Sequence, residues 1–70
     1  MTTITIRDEF IKLGQAMKLA GCVDSGADAR EVISGGEVTV NKETELRRGR
    51  KLYAGDRFVF ENETYEITSG

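Results

Sequence analysis

The sequence contains no histidine, no proline and a single cysteine, Cys22. Without histidine, the commonest general base and the commonest metal ligand are both missing. One cysteine cannot form an internal disulfide, and without histidine it cannot complete the usual ligand set of a zinc site. A Ser-His or Cys-His nucleophile is excluded as well. These absences argue against an enzyme and favour a binding protein that uses no metal and no cofactor.

Long apolar runs are also missing. No segment approaches the roughly 20 apolar residues that a membrane span needs, and the first residues, MTTITIRDEF, lack the basic start and apolar block of a secretory signal. A chain this small without a disulfide framework is typical of a reducing compartment. We therefore expect a cytoplasmic protein with no membrane partner.

Charged residues are present in both signs but unevenly placed. The 70 residues carry a formal net charge of −2 and are expected to form one domain, 1–70. Residues 1–41 carry four cations and six anions (net −2), residues 42–51 five cations and two anions (net +3), and residues 52–70 one cation and four anions (net −3). A basic cluster between two acidic segments predicts a site for a polyanion.

The spacing of apolar residues predicts two short helices. The first covers residues 10–20, whose apolar side chains fall on one face, and its start is open between a cap at Asp8 and a cap at Thr5. Ser25 is the expected N-cap of the second helix, which ends at the glycine pair 35–36.

Alternating and β-branched residues predict short strands around the helices. The strands are expected at residues 3–6, 37–40, 43–46, 58–60 and 64–67, with two-residue turns at 41–42 and 62–63, a loop over the basic run and a tail at 68–70. Together these elements predict an α+β fold. In it, two short N-terminal helices pack on a small, mainly antiparallel sheet of about four to five strands.

From about Lys12 to Asp56 the sequence resembles the S-four domain, an RNA-binding domain first defined in the small-subunit ribosomal protein of that number. The likeness rests on the segments KLGQAMKLAG, SGADAREVI, GEVTVN, RRGRKL and AGD. It is closest to the small stand-alone bacterial members, and it implies a helix pair on a small curved sheet, with RNA along the helices and the adjoining loop. Gly14 replaces the family's usual aspartate, and Lys42 replaces the usual turn glycine.

The chemistry of the basic residues also fits RNA. Arginine forks match phosphate oxygens, and the N–H groups at the start of the second helix suit an anion. Gly49 lets the basic loop approach a backbone closely. The candidate RNA-binding residues are Lys12, Lys18, Ser25, Arg30, Lys42, Arg47, Arg48, Arg50 and Lys51. The competing interpretation is a solvated basic loop that pairs with Glu43, Glu45 or Glu61, and ordinary surface roles for the lysines.

We therefore expect a monomeric, non-catalytic protein that binds structured RNA such as ribosomal RNA, with ribosomal proteins as further candidate partners. It would recognise shape and backbone more than sequence, because exposed aromatic residues are few. The alternative is a protein-interaction module whose basic loop binds an acidic partner. A sulfur carrier of the ubiquitin-like type ranks lower, because that class requires a Gly-Gly C-terminus and this sequence ends in Ser-Gly.

Overall fold

The computed structural model describes residues 1–70 and contains seven strands and two helices. The strands are β1 (Thr2–Ile6), β2 (Ile11–Lys12), β3 (Val38–Val40), β4 (Glu43–Thr44), β5 (Lys51–Leu52), β6 (Arg57–Phe60) and β7 (Glu63–Ser69). The helices are α1 (Leu13–Leu19) and α2 (Gly26–Ser34). The predicted α+β class is confirmed, although β1 and β2 precede the helices. Neither helix is long and apolar enough to cross a membrane.

Five strands form the main sheet, in the order β1-β7-β6-β3-β4. All neighbours in it are antiparallel except β1 and β7, which run parallel. The two short strands β2 and β5 form a separate antiparallel pair. This pair joins the residues before α1 to Lys51 and Leu52, which directly follow the arginine run 47–50.

The core lies between the helices and one face of the main sheet. Alternate strand residues point inward, as the period of two requires, and meet the apolar faces of both helices. Its thirteen buried residues are Ile4, Ile6, Leu13, Ala16, Met17, Ala29, Ile33, Val38, Val40, Leu52, Phe58, Phe60 and Ile67. Cys22 is half-buried and packs against this cluster.

The first helix is shorter than the predicted range of 10–20. It begins at Leu13, and Lys12 precedes it with an extended backbone and no side-chain cap, so neither Thr5 nor Asp8 caps it. Ile11 and Lys12 instead pair with β5. The helical spacing of the apolar residues was overridden by this tertiary pairing, which the local sequence does not reveal.

Three smaller predictions along the strands were also wrong. The second hairpin turn lies at 61–62, one residue earlier than predicted, as the φ values of 51° at Glu61 and 66° at Asn62 show. The expected tail is ordered: β7 continues to Ser69, and the Gly70 N–H donates to the Ile6 carbonyl at 3.0 Å. The strand expected at 43–46 ends at Thr44.

Candidate nucleic-acid interface

The basic loop, residues 47–50, is fixed against the start of α1 by main-chain hydrogen bonds. The Leu13 N–H donates to the Arg50 carbonyl at 2.8 Å, and the Gly14 N–H donates to the Arg48 carbonyl at 3.0 Å. Two of the N–H groups that a helix leaves free in its first turn are therefore satisfied by the loop. Sequence reasoning missed this docking, since it depends on the pairing of β2 with β5.

Glu45, just before the loop, is the only charged residue that is buried, with 6% of its surface exposed. Its Oε2 accepts from the Arg47 N–H at 3.0 Å and from Arg47 Nε at 2.9 Å. Its Oε1 accepts from Arg50 Nη1 at 2.7 Å and from Arg47 Nη2 at 3.3 Å. The competing interpretation of the sequence, pairing with a nearby acid, therefore holds for two of the three arginines.

These contacts keep Glu45 ionised. Hydrogen bonding from Arg47 is the largest cause that lowers its pKa, from the ordinary 4.5 to about 2, with Arg50 acting in the same direction. Burial acts in the opposite direction but is outweighed. The carboxylate and its two arginines are thus a fully charged cluster of net +1 throughout the physiological range.

Arg48 is the arginine of the loop that does not pair with an acid. Its Nη1 donates to the Gly26 carbonyl, at the start of α2, at 3.2 Å. Its methylene groups lie over Gly14: a Cβ added there would be 2.5 Å from Arg48 Cγ and 3.1 Å from Cδ. A side chain at position 14 would therefore collide with Arg48, which gives a physical reason for glycine where the S-four pattern has aspartate.

Arg48 forms one wall of a polar cavity of about 310 Å³ between the two helices' first turns and the basic loop. The side chains of Lys12, Gln15 and Lys18 form the other walls, together with three glycines, and no hydrophobic residue or carboxylate lines it. Three cations around an open polar space favour an anion such as a phosphate group. The structure therefore brings together three residues that the sequence named separately.

Lys51 extends this basic surface. It lies directly opposite Lys12 in the β2–β5 pair, an arrangement of like charges that is unfavourable unless an anion compensates it. Its Nζ lies 4.8 Å from the centroid of the Phe10 ring. Phe10 is half-buried, with its ring centroid 5.9 Å from that of Tyr53.

The remaining candidates lie outside the cavity. The Ser25 Oγ accepts from the Asp28 N–H at 3.1 Å and caps α2, as predicted. Lys42 forms the 41–42 turn with a φ of 76° and lines a different cavity beside Arg57. Arg30 is exposed on α2. No single part of the surface contains all nine candidates.

A family model described as the S4 domain matches residues 4–68. The chain belongs to the S4 domain family. The match takes in the last three residues of β1 and nearly all of β7 as well as the helices, so all five strands of the main sheet contribute to the matched S4 domain.

Two relatives of this S4 domain carry informative descriptions. A Bacillus subtilis (strain 168) protein named "Probable ribosome maturation protein RlbA" is 53% identical over 53 residues, which are 76% of this chain and 75% of that protein. The solution structure of YbcJ from E. coli is 29% identical with a TM-score of 0.73, over 97% of this chain and 87% of that one. YbcJ is described as revealing an ALFAL motif involved in RNA binding.

Proposed function

We propose that this S4 domain is a non-catalytic cytoplasmic protein that binds structured RNA, with ribosomal RNA as the foremost candidate. The observation that carries the proposal is the cavity that joins Lys12, Lys18 and Arg48 with no carboxylate in its lining. The RNA-binding description of YbcJ and the ribosome-maturation name of the Bacillus subtilis relative support the same partner.

The cavity would hold one backbone phosphate, and the surrounding basic surface would hold its neighbours. Arg48 is oriented by Gly26 and Gly14, so little of its freedom remains to be lost on binding. Arg47 is mostly exposed, and its Nη1 makes no contact with Glu45, which leaves a donor for a second phosphate. Exposed aromatic residues are few, so recognition would depend on the shape of the RNA backbone and not on stacked bases.

The test compares two double variants that remove the same charge. Lys18→Gln/Arg48→Gln removes two cations from the cavity, whereas Arg7→Gln/Arg57→Gln removes two exposed cations that do not line it. We would measure affinity for a structured ribosomal RNA fragment across a salt series by fluorescence anisotropy. The cavity variant should lose about 1.5 from the slope of log affinity against log salt, and the control should lose little.

Equal losses of slope in the two variants would contradict the assignment of the cavity as a phosphate site. They would indicate a diffuse effect of charge instead. An absence of RNA binding by the wild-type protein would reject the function. An acidic protein partner, the alternative suggested by the sequence, would then be the next to examine.

A further inference from the structure

An acid in the middle of a surface for RNA requires an explanation. Glu45 lies two residues before the basic loop, and by charge alone its carboxylate should repel phosphates and weaken binding. It is nevertheless buried, and both of its oxygens are used entirely within the protein, by Arg47 and Arg50.

The two arginines bracket Arg48. Their contacts to Glu45 hold both ends of the loop to one buried carboxylate. The Arg50 N–H also donates to the Arg47 carbonyl at 3.3 Å and closes the turn. The carbonyls of Arg48 and Arg50 face α1 and accept from its first turn. The position of Arg48 over Gly14 therefore depends on a loop that Glu45 holds from one side and α1 from the other.

We propose that Glu45 is a positioning residue for RNA binding, whose carboxylate increases affinity by holding the 47–50 loop in the conformation that places Arg48 at the cavity. The proposal rests on the RNA-binding function proposed above. It predicts that neutralising this acid weakens the binding of a polyanion, which is opposite in sign to the simple effect of charge.

A neighbouring acid provides the matched control. Glu43 lies in β4 and is exposed, and its side chain makes no hydrogen bond or ion pair. Glu43→Gln and Glu45→Gln remove the same charge at positions two residues apart. Glu43→Gln should leave affinity for the ribosomal RNA fragment unchanged or tighten it by about twofold. Glu45→Gln should weaken it about tenfold, as expected if the loop is competent about a tenth of the time.

A double-mutant cycle separates positioning from a general loss of structure. If Glu45 acts through Arg48, the Glu45→Gln substitution should have much less effect when Arg48→Gln is already present. The same cycle with Glu43→Gln should be additive. Backbone amide chemical shifts should report that the change in Glu45→Gln is confined to the loop and the first turn of α1.

Glu45→Asp covers the case in which Glu45→Gln does not fold. Aspartate keeps the charge, but it is one methylene shorter and cannot reach both arginines in the same way. We expect it to bind RNA more weakly than wild type at an unchanged net charge. Tighter or unchanged RNA binding by folded Glu45→Gln, or by Glu45→Asp, would overturn the proposal. So would a loss of affinity from Glu45→Gln that is just as large when Arg48→Gln is present. Each of these outcomes would leave the RNA-binding function intact.

Discussion

Adding a single methyl group at Gly14 should weaken RNA binding without unfolding the protein. The Cβ of Gly14→Ala would lie 2.5 Å from Arg48 Cγ, whereas ordinary contacts between such atoms begin near 3.4 Å. Arg48 must therefore move by about 1 Å, the difference between these two distances. Since the side chain is flexible, it can move, but it then leaves the position that the Gly26 carbonyl and the cavity give it.

The expected magnitude follows from the loss of one oriented cation. Such a contact to a phosphate is worth about 1 kcal/mol at a partly exposed site, so affinity should fall about fivefold. Stability should change little, because alanine favours a helix by up to about 1 kcal/mol over glycine and this offsets the displacement of Arg48. Anisotropy titrations with the ribosomal RNA fragment and thermal unfolding would measure the two quantities.

The Arg48→Gln background is the control for Gly14→Ala. In that background the cation over Gly14 is already absent, so adding the methyl group should cost little further affinity. If Gly14→Ala binds RNA as tightly as wild type, or weakens binding as much beside Arg48→Gln as it does alone, then the placement of Arg48 over Gly14 does not contribute to RNA binding.

Two further predictions concern stability. Because the pKa of Glu45 is about 2 in the fold and ordinarily 4.5, its contribution is present above about pH 4.5 and is lost as pH falls toward 2. The difference in unfolding free energy between wild type and Glu45→Gln should be about 2 kcal/mol at neutral pH, after screening at the exposed Arg47. This difference should shrink as the pH falls through that range, as measured by urea unfolding at a series of pH values. A difference that stays constant with pH would contradict the prediction. Lys42 has a φ of 76°, a conformation that costs a residue with a side chain about 1 kcal/mol, so Lys42→Gly should raise the melting temperature by about 4 °C. A melting temperature that is unchanged or lower would show that the turn is not strained.

The sequence predicted features that depend on neighbouring residues. The Ser25 cap and the glycine stop of α2, the inward alternation of Val38 and Val40, and the left-handed turn at 41–42 are confirmed. Each of these depends on spacing or backbone preference within a few residues, and the chain carries that information locally.

What the sequence did not reveal depends on contacts between distant residues. The first helix was predicted too long because Ile11 pairs with Leu52, a partner 41 residues away. The different roles of the three arginines could not be predicted either, because Arg47, Arg48 and Arg50 are alike in sequence. Only the fold shows that two of them contact a buried acid and that the third faces the cavity.

The pairing of Arg47 and Arg50 with Glu45 affects how mutations of the arginine run should be designed. Replacing all three arginines together would leave Glu45 buried without its partners, and an unpaired buried charge is strongly destabilising. A loss of RNA binding in that variant would report unfolding as readily as a lost contact. Substitutions of Lys18 and Arg48 avoid this problem because neither residue pairs with an acid.

The parallel pairing of β1 with β7 has a consequence for how the domain folds. Thr2 pairs with Tyr65, 63 residues along the chain, so this pairing closes nearly the longest loop available and carries a high entropic cost. The helix pair and the β3–β4 and β6–β7 hairpins are joined by much shorter connections and can form first. β1 lies at the edge of the sheet and is held there by β7 and the burial of Ile4 and Ile6. Its detachment would therefore be a local opening at the far edge of the sheet, in which amide hydrogens of β1 exchange early while the cavity between the helices and the basic loop keeps its form.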